Sequence, residues 1–267
     1  MTTSIEKCRE EEQESLISFL KQDLYYHTFM LADIYYYGFD QPCQKIYAEK
    51  ADGKIKSVFL KYYTNLILAG DPGEEVCLKI RELYREQIST VMGKAELVKR
   101  FAKCGRGMEE MPVTKKLYIL NHQKKLDPGG KTVYTAEENE ADKVHSFLMT
   151  VPGFQSLYGE KEMIRNRIRN QEGEHLYYQE GEEIIAHANT AAATPWACMI
   201  GGVSVKQPYQ HRGIGHKIVS AAAKRALDSG RIPGVFSEWP QEQNLFCDLG
   251  FQEIGDWGVL NLKKNNM

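Results

Sequence analysis

The hydrophobic and polar positions of this chain change period most clearly after residue 199. Ile200-Gly-Gly-Val-Ser-Val205 is an apolar run of strand length, and the Pro-containing stretch Gln207–Gln210 ends it. Beyond Gly213-Ile214-Gly215, apolar side chains recur every four residues in two adjacent rows. One row is Ile214, Ile218, Ala222 and Ala226; the other is Val219, Ala223 and Leu227. Lys217, Ser220, Lys224 and Asp228 take the opposite face. This spacing predicts an amphipathic helix that lays one face on a sheet. Gly230 is placed to end the helix, and Pro233 prevents its continuation.

The remaining pattern predicts the other elements. Residues 5–37 read as helical, with a break near Asp23. Their aromatic part, Leu24–Tyr37, suits a core or interface helix, or else a lip over a pocket. Two strand-like runs, 44–50 and 54–60, flank Asp52-Gly53, a strong hairpin signal. A strand over 64–69, a helix over 74–91, a helix over 94–103 and a strand over 115–121 follow. Asp127-Pro-Gly-Gly130 is the best linker. After it come a strand at 132–135, helices over 137–149 and 160–170, and a hairpin of 174–179 with 183–192. The Ile200 strand and its helix are then followed by a strand over 232–238, a short helix over 241–249 and a last strand or hairpin over 251–262. The second half therefore reads β-α-α-β-β-β-α-β-α-β, an α+β arrangement with a mixed sheet. Arg165, Arg167 and Arg169 on the 160–170 helix suit a solvated face, with contact to an anionic ligand as the other reading.

Composition narrows the partners. The 267 residues suit one large or two modest domains. Their 34 basic and 36 acidic residues give a net charge of −2, which offers no general footprint for nucleic acid or an anionic membrane. The polar, acidic start is not a signal peptide, and no apolar run reaches membrane-spanning length. Six scattered cysteines without a Cys-x-x-Cys pair suit reduced thiols and a cytoplasmic setting. No metal-ligand spacing appears.

The chemistry centres on Gln210-His211-Arg212-Gly213-Ile214-Gly215. A strand, a glycine turn and a helix N-terminus make an anion site, because the first helical N–H groups lack internal partners and the helix dipole favours negative charge. No Gly-x-x-x-x-Gly-Lys-Ser/Thr string occurs. Ile218 stands where a dinucleotide fingerprint needs its third glycine. The stretch matches Gln/Arg-x-x-Gly-x-Gly/Ala, the turn of the GNAT superfamily of N-acetyltransferases. Its strand and helix fit too, and Leu249-Gly250-Phe251 resembles the Leu-Gly-Phe after that superfamily's next helix. The second half thus resembles a GNAT domain. The whole chain resembles two-lobed proteins of the glycine N-acyltransferase-like type, with a degenerate GNAT-like lobe over 1–126 and a GNAT domain over 130–267.

That resemblance implies a fold, a cofactor and a reaction. Acetyl-CoA would lie between the fourth and fifth strands of the domain, its amides pairing with the backbone at Val203, Ser204 and Val205. Its pyrophosphate would meet Gln210, His211, Arg212, Gly213, Ile214, Gly215 and His216, with Arg212 adding a charge-assisted contact. Asn244 and Phe246 would complete the cofactor site, with Tyr209 and Asn244 able to orient groups. The reaction would be attack by a primary amine on the thioester, without a metal. An amine of pKa about 10 must first lose a proton. Glu238, ending the fifth strand, is the first candidate base, and His187 the second. The acceptor would be a small amine or amino acid, not nucleic acid or a membrane; a homodimer is left open. Many members place a Tyr four residues before the Gly of Gly-Phe as the acid; this chain has Phe246 there, and Trp239 at a usual Asn. A non-catalytic acyl-CoA-binding or regulatory module is therefore the competing expectation.

Overall fold

The computed structural model describes residues 3–39, 41–84, 87–104, 111–127 and 133–262. The chain divides into two compact units, Met1–Leu117 with Gly255–Met267, and Tyr118–Ile254.

The first unit runs β1 (Thr3–Lys7), α1 (Gln13–Leu20), α2 (Thr28–Tyr37), β2 (Gln44–Ala51), β3 (Lys54–Tyr62), β4 (Asn65–Gly70), α3 (Glu74–Tyr84), β5 (Thr90–Lys94), α4 (Ala95–Lys103) and the start of β6 (Val113–Ile119). Strands β1 to β4 pair antiparallel in sequence order, and β4 pairs parallel with β5. Asp52 and Gly53 both have positive φ, the mark of a tight hairpin turn matched to strand twist. Phe59, Leu68, Ile80, Val91, Val98 and Phe101 share the core, covered by α3 and α4.

Two expectations for this unit change. Residues 3–7 are a strand, not the start of a helix, because they pair along the edge of β2; five residues are too few for a helical period to show. The helix from Glu74 stops at Tyr84, and Thr90–Lys94 is a strand that fills the place beside β4. In α2, Met30, Leu31, Ala32 and Ile34 are buried, so the aromatic segment is mainly a core helix, although Tyr35 is exposed.

The second unit contains β7 (Val133–Thr135), α5 (Ala141–Leu148), α6 (Gln155–Tyr158), α7 (Lys161–Arg169), β8 (His175–Glu180), β9 (Glu183–Ala191), β10 (Ala197–Val205), α8 (Ile214–Asp228), β11 (Ile232–Ser237), α9 (Pro240–Asp248) and the first residues of β12 (Gln252–Asn261). β7 to β10 pair antiparallel in order, and β10 pairs parallel with β11. Residues 184–190 of β9 are all buried, as a strand covered on both faces must be. On one face, Ile218, Val219, Ala222 and Ala223 of α8 pack with Leu176, Ala188, Ile200 and Val235. On the other, Val144, Phe147, Tyr158 and Ile164 pack with Tyr177 and Ile184. Arg165 pairs with Asp142 and Glu162, and Arg169 with Glu138, so these arginines carry surface ion pairs.

Both units repeat one order: a strand, helices, three antiparallel strands, a helix, a parallel strand, a helix. Their boundary differs from the expected 126/130. Residues 128–130 of the expected linker lie outside the described residues. The chain passes from the first unit to the second inside β6, and returns inside β12. The physical reason for the return is pairing: Trp257–Asn261 run antiparallel to Lys94–Thr90, and Leu260 is buried in the first unit's core. The segment 255–267 therefore belongs with the first unit by contact, not with the domain that precedes it.

Candidate active site

The parallel pair β10–β11 opens partway along. Ala197–Ile200 register with Ile232–Val235, and the pairing goes no further, although β10 continues to Val205 and β11 to Ser237. On its other edge β10 stays paired with β9. Gly201 faces Asn189, then the register shifts and Ser204 faces His187. One extra residue is therefore accommodated in β10, a bulge that bends the strand. Beyond it, Lys206 N–H donates to Ile185 O at 2.8 Å. Antiparallel strands alternate their bonding direction, so Ser204 and Lys206 face β9. The backbone groups of Val203 and Val205 then face the opened side.

The bulge is held by buried polar groups. Gly202 sits at φ +58, and an added Cβ would lie 2.4 Å from Asn189 Oδ1 and 2.7 Å from the Tyr158 hydroxyl. Tyr158 donates to Asn189 Oδ1 at 2.8 Å. His187 Nδ1 lies 2.8 Å from Gly202 O, and its Nε2 lies 2.9 Å from His175 Nδ1. A carbonyl can only accept, so His187 carries its proton on Nδ1 and accepts from His175 at Nε2. His187 is therefore neutral in this arrangement. Burial pushes the His187 pKa down to about 4. It pushes that of His175 well below the usual range, with the neighbouring His187 adding to the effect.

His187 is thus a buried structural residue, fully enclosed and with both ring nitrogens engaged. It does not present a lone pair to the opened side. The pattern Ile185-Ala-His-Ala-Asn189 put His187 and Asn189 on one face; their partners His175, Tyr158 and Gly202 come from other elements, so the sequence did not reveal them. The pair has a consequence for stability. An unfolded imidazole binds a proton near pH 6.5, and folded His187 does not until about pH 4. Stability should be level above about pH 7 and fall as pH drops through that window, by about 3 kcal/mol from His187. Denaturant unfolding at pH 7.5, 6 and 5 checks this; a pH dependence no steeper than that of His187→Gln contradicts it.

At the far end of β10, residues 207–209 make a 3-10 turn and α8 begins. Gln210 Nε2 donates to Val205 O at 3.0 Å, tying the turn to the strand. His211 and Gly213 both have positive φ, and Gly213 is the N-cap in the left-handed region. The space where its Cβ would lie is open. The first α8 bond runs from Lys217 N–H to Gly213 O, so the N–H groups of Ile214, Gly215 and His216 have no partner within the helix. The Arg212 guanidinium lies 5.4 Å from the Tyr209 ring centre. The Tyr209 hydroxyl bonds Glu180, which raises its pKa. His216 stands 3.7 Å from Asp248. The structure thus brings an opened strand edge and a helix N-terminus to one place.

The sequence model of the acetyltransferase (GNAT) family matches residues 132–246. Residues 132–246 are a GNAT acetyltransferase domain. Among curated proteins none matches the sequence. Solved structures similar in fold include a GNAT-family acetyltransferase from Colwellia psychrerythraea, 16% identical over 97% of this chain and 100% of that one, with a TM-score of 0.57. A Drosophila protein is 11% identical over 97% and 98%, with a TM-score of 0.69. A tandem GNAT protein from the clavulanic acid biosynthesis pathway is 11% identical over 98% of each chain, with a TM-score of 0.60. These likenesses establish the fold over nearly the whole chain.

Within the GNAT domain, the remaining expected site residues fall in different settings. Glu238 is exposed immediately after β11, and its N–H lies 3.3 Å from Glu242 Oε2. Ser237 Oγ donates to the same carboxylate oxygen at 3.1 Å. Asn244 is exposed on α9. Phe246 is 4% exposed and packs with Tyr118 and Phe251 in the core. Phe246 is therefore a packing residue, because its ring lies on the buried face of α9. Trp239 is 62% exposed at the N-cap of α9. Among the described residues no group of three or more His, Cys, Asp or Glu is placed to hold a metal, and no helix is long and apolar enough to cross a membrane. All six cysteines are free thiols.

Proposed function

We propose that the chain is an acetyl-CoA-dependent N-acetyltransferase acting on a primary amine of a small molecule or amino acid. One observation carries the reading: β10 and β11 part after Ile200 and Val235, where the Gly213 turn opens α8. An acyl-CoA fits these residues. Val203 and Val205 offer strand backbone to its amides, and Ile214, Gly215 and His216 offer N–H groups to its phosphates, with Arg212 nearby. When bound, the cofactor supplies an activated acyl carbon. The chain's part is to orient it, to stabilise developing oxyanion charge with strand N–H groups, and to take a proton from the amine.

Among its described residues the first unit shows no equivalent anion site. Its corresponding helix, α3, is preceded by Asp71 and opens with Glu74 and Glu75, and three carboxylates at that position repel phosphate. This supports a division in which residues 118–254 hold the cofactor and the first lobe is degenerate.

Glu238 is the proposed base. It directly follows the fifth strand of the domain, which ends at Ser237, and parallel strands bring their C-terminal ends to the ligand crevice. Glu238→Gln keeps size and hydrogen bonding but cannot accept a proton. Its kcat should fall by about 10²–10⁴ with acetyl-CoA affinity little changed, and the acid limb of the pH–rate profile should disappear. A variant with near wild-type kcat moves the role to water.

Burial of Phe246 where many relatives carry Tyr favours a second reading, an acyl-CoA-binding or regulatory module without turnover. Release of CoA with a panel of amines, set beside thermal stabilisation by acetyl-CoA, separates the two. Stabilisation without turnover on any amine selects the binding module. Turnover selects the enzyme.

A further inference from the structure

We propose that a second cavity in the GNAT domain binds a small zwitterion, of the α-amino acid class, at the end opposite the opened strands. The cavity encloses about 340 Å³, within the range of small-molecule sites. Cys198 lines it near the start of β10, and Ala226 and Ser229 line it at the end of α8. Seven residues of strand separate Cys198 from Val205, about 23 Å at 3.3 Å each. The 15 residues of α8 give a similar separation from Gly213. The cavity is therefore not part of the acyl-donor region.

Its floor is apolar: Ala193, Cys198 and Ala226 form a small cluster of their own. Burial pushes the Cys198 thiol up to about 12, so the floor is also unreactive. The walls carry opposite charges. Glu174 Oε2 is shielded from solvent and has no hydrogen-bond partner, although its side chain as a whole is 45% exposed; Arg225 Nη1 stands 3.6 Å away, an ion pair without a hydrogen bond. Thr135 Oγ1 is buried and likewise unsatisfied. Arg231 donates from Nε to Thr194 O at 2.8 Å and from Nη1 to Ser229 Oγ at 3.2 Å. Those two bonds hold its guanidinium in place at the cavity wall.

Buried polar atoms without partners are uncommon, because each carries a desolvation cost. Two at one cavity, Thr135 at the end of β7 and Glu174 just before β8, call for a ligand that supplies donors to both. An ammonium group satisfies Glu174 Oε2 and Thr135 Oγ1. A carboxylate on the same small molecule satisfies Arg231. A simple anion would leave Glu174 Oε2 without a hydrogen-bond donor, and a simple cation would leave Arg231 unused.

Calorimetry on the full chain tests this, with each of the common L-α-amino acids as titrant. At least one should bind with a stoichiometry of one. Its methyl ester and its N-acetyl derivative should each bind at least about tenfold more weakly, since each loses the partner of one charged wall residue. Glu174→Gln and Arg231→Gln should each weaken binding of the free amino acid by the same factor, while acetyl-CoA affinity stays at the wild-type value. Should either variant fail to fold, Thr135→Val, which exchanges hydroxyl for methyl at similar volume, is judged by the same criterion. Absence of binding by every amino acid, or wild-type affinity in either variant, overturns the proposal. Because acetyl-CoA affinity is read separately, failure here is distinct from failure of the proposed transferase function.

Discussion

Gly213→Glu is expected to abolish acetyl-CoA binding while the chain stays folded. Gly213 is exposed, and the space its Cβ would occupy is empty, so a side chain there meets no steric barrier. The cost to the fold is conformational. A non-glycine residue at φ +76 is disfavoured by about 1–2 kcal/mol, which a domain of this size tolerates. The cost to binding is electrostatic. The new carboxylate would stand beside the N–H groups that open α8, where the helix dipole would favour a phosphate. It would both occupy that site and repel the ligand. Affinity by calorimetry should fall beyond detection, with the far-UV spectrum unchanged. Gly213→Ala separates the two costs, since it pays the conformational term alone and should keep most of the affinity. Unchanged acetyl-CoA affinity in Gly213→Glu would falsify the phosphate-turn assignment.

Gly202→Ala should strongly destabilise the domain. The new Cβ would meet Asn189 Oδ1 at 2.4 Å, Tyr158 Oη at 2.7 Å and His187 Cε1 at 3.1 Å, at a φ of +58. These are not loose surface groups. Tyr158 is hydrogen-bonded to Asn189, and His187 to Gly202 O and His175. Displacing them unpairs buried polar atoms, so a loss of about 2–4 kcal/mol is expected, read as a shift in the denaturant midpoint. The same change flattens the bulge that carries β10 away from β11, so acetyl-CoA affinity should drop as well. A stability within about 0.5 kcal/mol of wild type would show that the buried network does not hold the bulge. Gly201→Ala is the matched control: nothing lies within 4 Å of its Cβ position.

What the sequence determined by itself is the set of local rules. Four-residue spacing from Ile214 to Ala226 specifies α8, and the helix runs Ile214–Asp228 as that spacing requires. Asp52-Gly53 specifies a hairpin, and β2 and β3 pair across it. Gly213-Ile214-Gly215 after a short apolar run specifies a strand, a turn and an open helix N-terminus. These features are legible because each depends on neighbours within one turn or one hairpin. The tertiary structure alone decided the rest. Thr3–Lys7 is a strand because β2 has an edge to pair with. Trp257–Asn261 joins the first unit because β5 offers it a partner, although it follows the second unit in the chain. His187 looked like a candidate base in sequence; long-range contacts with His175 and Gly202 make it a buried support. Phe246 lies on the buried face of its helix, in contact with Tyr118 and Phe251. In each of these the deciding partner is remote in sequence, and burial and hydrogen-bond satisfaction are settled only when such partners meet.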